Sequence, residues 1–430
     1  MPPGPILIFD KSFLQGLSID EAVWLDHFFL SNITPLFFVE TLADLEKSVV
    51  RGRTPEDVVG NLATKTPDMQ SHPNAHHQQL LSAELFGHQA ISMDGRIHRA
   101  AGTSVMLGDQ RGIVFKESDE EAALARWQAR EFLDLERQIA KIWRRHAAQL
   151  DLASVCDGFK NWFLQFPKPM DLAEVKRFAE QRINEAPNPD AAFHLGLSLL
   201  SVGDDALRQI TQRWVAAGRP PIKEFAPYFY YLYSVMLFYC LAVAADLISK
   251  VRPAGKAANL VDVMYLFYLP FCMVFTSSDR LHERIVPLFL RPDQSFVRGP
   301  ELKAALSAID GHFDQLPPEV KARGLYAFAG WPPDGLSFVM TTLFDKHVPA
   351  WRKRSDDVRD ESPKMNKAIM ELVRKFEMAQ ETDVGAVAQE KAEFMQVQRK
   401  VRAKKGKWMR VPPEAIANGG RDDNEPESPS

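Results

Sequence analysis

Apolar positions come in short blocks at the start of the chain. Ile6 to Phe9 (ILIF) is an apolar run that ends in Asp10 and reads as a buried strand. Ser18 then opens a helical pattern, with Glu21 placed three residues on as a capping partner and Val23, Leu25, Phe28 and Phe29 on its apolar side. Thr34 to Val39 (TPLFFV) is a second apolar run, rich in β-formers, that ends in Glu40; a helix is expected from Thr41 to about Val50. Strand, helix, strand, helix is the order of an α/β domain with a parallel sheet.

Residues 51–117 are rich in Gly, Pro, Asn, His and Asp and predict loops with short elements. Ser118, with Glu121 as capping partner, opens a helical period through Leu124, Trp127, Phe132, Leu135, Ile139 and Ile142 to about Leu150. Helices follow at Asp171–Asn184, Asp190–Ser201 and Asp204–Ala216, each starting at an Asp suited to an N-cap. Phe225 to Ala245 carries no charge and is long enough to span a bilayer. Its five tyrosines, each with a hydroxyl that needs a partner, favour a helix buried between protein layers. The α/β pattern then returns. Asn259 to Leu269 predicts a helix stopped by Pro270, Phe271 to Thr276 (FCMVFT) a buried strand, and Arg280 to Leu290 a helix, with Ser277, Ser278 and Asp279 between the last two. Shorter helices are expected over 291–350, and a last helical stretch from Ser362 to about Val401. The tail from Asn418 lacks apolar content and is expected to be disordered.

Composition narrows the class. The chain has 430 residues, 46% hydrophobic and 25% charged, which fits a globular protein and excludes a collagen-like or disulfide scaffold. At about 150 residues per domain, two or three domains are expected. The three cysteines, Cys156, Cys240 and Cys272, form no CxxC pair, so a reduced cytoplasmic setting is expected and a cysteine zinc cluster is excluded. No secretory pattern opens the sequence. A net charge of −4 argues against coating nucleic acid by bulk charge but leaves room for a local basic groove. Such a groove is expected at Arg399 to Arg410 (RKVRAKKGKWMR), where Arg399, Lys400, Arg402, Lys404, Lys405, Lys407 and Arg410 surround Trp408. Basic side chains with an aromatic suit phosphate contact and base stacking; the competing reading is a solvated helix end.

Candidate chemistry lies in the acids. Asp10, Glu40 and Asp279 each follow an expected strand, and ligands of open parallel sheets bind outside the carboxyl ends of strands. Asp262, at the start of the helix leading into FCMVFT, can return to the same rim. Four carboxylates in one cleft cannot all ionise without a cation, and oxygen-only ligands favour Mg²⁺ or Mn²⁺. Two such ions about 4 Å apart would stabilise both the attacking and the leaving oxygen of a phosphodiester. For any single acid, a solvated loop residue or helix cap is the simpler reading. His72, His76, His77, Glu84 and His88 invite a zinc test, but no HExxH occurs, and histidines on the surface or supporting other groups are expected. No GxxxxGK[ST] loop or GxSxG elbow is present.

The order of these elements and acids resembles the PIN-like nuclease family. Asp10 in IFDKSFL matches the family's first Asp, with Ser12 where a small hydroxyl residue is common. Glu40 in PLFFVETLADLEK, Asp262 in LVDVMYLFYLPF and Asp279 in MVFTSSDRLH match its further acids, with Ser278 and His282 as secondary positions. The resemblance covers residues 1–50 and 259–294 and fails between 51 and 250. It implies a parallel-sheet, Rossmann-like α/β domain built from 1–50 and 251–295, a mostly helical insertion at 51–250, a helical extension at 296–417 and a disordered tail at 418–430. It also implies catalytic, metal-holding roles for Asp10, Glu40, Asp262 and Asp279, and cleavage of nucleic acid, RNA before DNA, by water activated on Mg²⁺ or Mn²⁺. The alternative is a non-catalytic nucleic-acid- or protein-binding protein on the same fold. No membrane partner is expected, and a homo-oligomer stays open.

Overall fold

A computed structural model describes residues 4–43, 54–99, 102–107, 110–115, 117–139, 142, 171–245, 247–248, 260–353, 380–381, 392–397 and 401–410. Cys156, Arg399, Lys400, most of the stretch expected to be helical over 362–401 and the tail from Asn418 lie outside them. A five-stranded, all-parallel sheet organises the chain: β1 (Ile6–Phe9), β2 (Leu30–Ile33), β3 (Ser71–Pro73), β4 (Val274–Ser277) and β5 (Ser295–Arg298), in the spatial order β3-β2-β1-β4-β5. The fold class is α/β. The chain leaves β1 toward β2 and β3 on one side and returns at β4 and β5 on the other. The gap between β1 and β4 is therefore the topological switch point, where the carboxyl ends open a crevice.

Strand alternation divides two cores. Ile8 and Phe275 face one cluster; Leu7, Phe9, Ile33, Val274 and Val297 face the other. The second is built on α1 (Lys11–Gly16), α2 (Ile19–Phe28), α3 (Pro35–Ala43) and α4 (Pro55–Lys65). The first takes α5 (His77–Leu85), α6 (Leu172–Asn184), α7 (Pro189–Leu199), α8 (Asp204–Ala216) and the apolar α9 (Pro227–Ala244). After β4, α10 (Arg280–Phe289) covers the first face and α11 (Gly299–Asp314) the second.

Several sequence expectations change. TPLFFV is not a strand: it opens α3, and the strand is the preceding LSNI. Pro35 has no N–H for a ladder inside a central parallel strand, yet fits the first position of a helix. The sheet also takes β3 from the segment expected to be helical insertion, and β5 crosses the expected border at 295. The helix from Ser118 stops at Gln128, because Arg130 turns left-handed at φ 63° and its N–H returns to Trp127. The N-cap of α7 is Asn188 rather than Asp190, and that of α8 is Gly203 rather than Asp204. The expected strand FCMVFT is β4, shifted to Val274–Ser277, and a 3₁₀ turn over Tyr265–Phe271 replaces most of the helix before it. In the expected helical extension, residues 394–397 form a strand beside a hairpin of Gly102–Leu107 and Gln110–Phe115.

Helix α9 has 18 residues and a mean hydropathy of 1.4, so length and composition alone would let it cross a membrane; 72% of it lies buried. Three of its five tyrosines have hydroxyl partners within the protein: Tyr228 donates to the Phe267 carbonyl at 3.2 Å, Tyr231 to Leu266 at 2.7 Å, and Tyr230 accepts from Asn184 at 3.0 Å.

Candidate active site at the carboxyl rim

Asp10 leaves β1 at the switch point and caps α1, its Oδ1 accepting the Phe13 N–H at 2.9 Å. Its Oδ2 accepts two hydroxyls, Ser12 and Ser277, each at 2.7 Å. Ser277 ends β4, one strand away, and also accepts the Asp279 N–H at 2.9 Å. Asp279 caps α10. One turn into that helix, the fully buried His282 places Nδ1 at 2.8 Å from Ser277 Oγ and 3.6 Å from Asp10 Oδ2, and Nε2 at 2.8 Å from the Asp262 carbonyl.

Proton counting fixes the state of this chain. Nε2–H donates to the Asp262 carbonyl, and the Ser277 hydroxyl donates its single proton to Asp10. Nδ1 can then meet Ser277 only as a second N–H donor, which requires imidazolium. Burial alone would lower the pKa of His282; hydrogen bonding to Asp10 and the charges of Asp10 and Asp262 outweigh it and push it up to about 9. Burial would raise Asp10, but His282, Ser277 and Ser12 hold its carboxyl below the usual range.

Glu40 stands in the second turn of α3, not at a strand end. Its Oε2 accepts the Tyr265 hydroxyl at 2.9 Å, and Lys11 Nζ lies 3.4 Å from Oε1 and 3.2 Å from its carbonyl oxygen. Asp262, three residues before Tyr265, is half-buried. Burial, with the charges of Asp279, Glu40 and Asp10 added, raises its carboxyl to about 7 against the opposing pull of His282. The four acids singled out in the sequence therefore share one field at the carboxyl end of the sheet. Ser12 belongs to this network; Ser278 is exposed and takes no part, its neighbour Ser277 filling that place.

Lys11, Tyr265 and Ser277 were not singled out in the sequence. Each had a local signal: Lys11 follows Asp10, Tyr265 lies one helical turn from Asp262, and Ser277 ends the strand before Asp279.

The donor set suits a hard cation by its chemistry: oxygen ligands only, among which burial first and the neighbouring acids second raise Asp262 to about 7. The spacing is not closed, since among the described residues no three His, Cys, Asp or Glu side chains gather where they could hold an ion. This applies equally to the histidine group. Glu84 is spent on the N–H groups of Tyr228 and Phe229 at 3.0 and 2.8 Å, and His77 on the Tyr268 hydroxyl at 3.0 Å.

The basic C-terminal stretch is turned inward. Lys405 is buried and donates to the Thr66 carbonyl at 2.7 Å. Arg410, 1% exposed, pairs with Asp26 at 3.2 Å and with Asp68. Trp408 is buried, and its Nε1 donates to Asp310 at 2.8 Å, while Lys407 reaches Asp310 at 2.9 Å. Of the residues expected to hold nucleic acid, Arg402 and Lys404 are on the surface with no acidic partner among the described residues, while the others described turn inward as a clasp. The charges were legible; their acidic partners, hundreds of positions away, were not.

No protein-family model, curated protein or solved structure matches this chain.

Proposed function

We propose that this chain is a metal-dependent nuclease of PIN-like type, hydrolysing phosphodiester bonds of single-stranded nucleic acid, RNA before DNA. The observation that carries the reading is the convergence of Asp10, Glu40, Asp262 and Asp279 beside the switch point, from positions up to 269 residues apart (279 − 10). The acids would hold Mg²⁺ or Mn²⁺, which supplies a water of lowered pKa and a counter-charge for the leaving oxygen. The chain's own groups supply the rest. Ser12, Ser277 and the Phe13 N–H orient the Asp10 carboxylate. Ser277 is not a nucleophile in this scheme: it is buried, and its proton is committed to Asp10.

The test is cleavage of a labelled RNA and a labelled DNA single strand with Mg²⁺ or Mn²⁺. Asp10→Asn keeps a capping side chain and should lower cleavage by at least ~10²-fold; because it also removes the buried partner charge of His282, cleavage is compared at a temperature where circular dichroism shows both proteins folded. Equal cleavage by parent and variant would remove the assignment. A second reading, a non-catalytic binding protein on the same fold, is favoured by the open spacing of the acids. Absence of any Mg²⁺ or Mn²⁺ binding at millimolar metal would select it.

A further inference from the structure

Thr34 directly follows β2 and leads into α3, and Asn74 directly follows β3. The Asn74 N–H donates to the Ile33 carbonyl at 2.9 Å, so the parallel ladder continues one step past the Ile33–Pro73 pair and sets Thr34 beside Asn74. Alternation along β2 places Thr34 on the face of Asn32, whose Nδ2 donates to the Phe271 carbonyl at 2.9 Å. Thr34 and Asn74 are each 1% exposed. On the outer side of β3, Arg99 bridges antiparallel to Asn74, and the His98 carbonyl accepts the Ala75 N–H at 2.6 Å. The two side chains are thereby closed off from bulk solvent.

Thr34 Oγ1, Asn74 Oδ1 and Nδ2, and Asn32 Oδ1 have no hydrogen-bond partner among the described residues. Their position makes this unusual. Ser18 and Thr54 also lead into helices, and their hydroxyls accept the N–H groups of Glu21 and Asp57 at 3.0 and 3.1 Å. Thr34 leads into α3 in the same way, yet its hydroxyl takes none of that helix's N–H groups and makes no bond to Asn74 beside it. A buried polar atom left unmet costs stability, so a patch of them on neighbouring strands calls for a shared partner.

The chemistry of the patch selects that partner. Nδ2 only donates, the two Oδ1 atoms only accept, and the hydroxyl does either. An anion would face two acceptors, and a cation would find no negative charge among these groups. Burial excludes a large ligand. Water donates and accepts, and a buried water makes about three hydrogen bonds to otherwise unsatisfied polar groups. We propose that Thr34 and Asn74 hold an internal water molecule that bridges the ends of β2 and β3, with Asn32 Oδ1 one pleat away as a further acceptor. The water pins the start of α3 to β3. This inference stands apart from the nuclease reading.

The test combines a high-resolution crystal structure of the full chain with urea melts of Thr34→Val, Asn74→Leu and the double variant. These substitutions keep the shape and remove the polar atoms. The crystal structure should show a water within hydrogen-bond distance of both Thr34 Oγ1 and the Asn74 amide. Each single substitution takes a partner from that water, so each should lower the urea midpoint. The double variant has no use for the water, so its midpoint should fall by less than the sum of the two single shifts. A midpoint that rises in either single variant would mean that the atoms are unmet in the fold, and would overturn the inference. Additive shifts would overturn it as well, as would a crystal structure with a direct Thr34–Asn74 hydrogen bond or no water between them. Circular dichroism checks folding, and if a variant does not fold the crystal structure decides alone.

Discussion

At the scale of the residue, His282 sets the character of the rim. A fully buried imidazole normally stays neutral, but here three acceptors need its protons: the Asp262 carbonyl, Ser277 Oγ and, through Ser277, Asp10. Its pKa in the fold, about 9, lies above the ordinary 6.5. A raised histidine pKa means that the folded chain binds the proton more tightly than the unfolded chain. The stabilisation is therefore full below pH 6.5 and is lost as pH rises through 9. At 1.36 kcal/mol per unit it amounts to about 3 kcal/mol. Urea melts at pH 6 and pH 10 should show this loss in the parent, and His282→Gln should lack that share of it. Ser277→Ala should cost about 1–3 kcal/mol, because it strips Asp10 of a donor and leaves Nδ1–H unmet; chemical denaturation at pH 7 reads it directly.

At the scale of the element, the legible parts of the sequence were those with strong local grammar. The Ser18–Glu21 capping box, ILIF and the helix after Asp279 all form where expected. β2 and β3 were illegible because LSNI and SHP are largely polar. Ser31 and Asn32 are buried in a central strand, and Asn32 earns its place through a hydrogen bond to the Phe271 carbonyl, 239 positions away. No local period can announce such a partner, so the more apolar TPLFFV drew the strand assignment one element too late. The α9 helix shows the same limit. Its apolar run was evident, but the group that starts it, Glu84, lies on another helix and accepts the N–H groups of Tyr228 and Phe229 at 3.0 and 2.8 Å. Glu84→Ala would leave two buried N–H groups without an acceptor at a helix start, at a cost of about 1–3 kcal/mol. The midpoint of a urea melt should fall accordingly, with α9 the first region to lose protection in hydrogen exchange.

At the scale of the whole molecule, the sheet carries opposite charge problems at its two ends. The carboxyl end gathers acids that, with burial, raise the Asp262 carboxyl. The other end, where residues 68–70 lead into β3, buries Asp26 against Arg410, with Lys405 beside Asp68. The hairpin Lys404–Met409 delivers these basic groups, and its turn needs Gly406, because its φ of 57° lies in the left-handed region that L side chains rarely adopt. The clasp thus ties the C-terminal part of the chain to α2 and to the approach to β3, and its loss should loosen the sheet that positions the rim. Arg410→Ala tests this. It leaves Asp26 buried, still accepting the Met69 and Gln70 N–H groups, with its closest cation gone. Removing one partner of a buried pair costs about 3–5 kcal/mol. The sign of its pH dependence follows from Asp26, whose carboxyl burial already pushes above the usual range and Asp68 pushes further. A raised acid pKa means that the fold holds the proton more tightly than the unfolded chain, and without Arg410 the rise is larger. The deficit of Arg410→Ala relative to the parent should therefore be greatest where Asp26 is ionised and shrink as pH falls and Asp26 takes up a proton. Adding Asp26→Asn should recover part of the deficit at pH 7 and remove this pH dependence. A deficit that does not shrink on acidification, and that Asp26→Asn leaves unchanged, would mean that Arg410 acts through its contacts with Asp68 and the Arg402 carbonyl rather than as the counter-charge of Asp26.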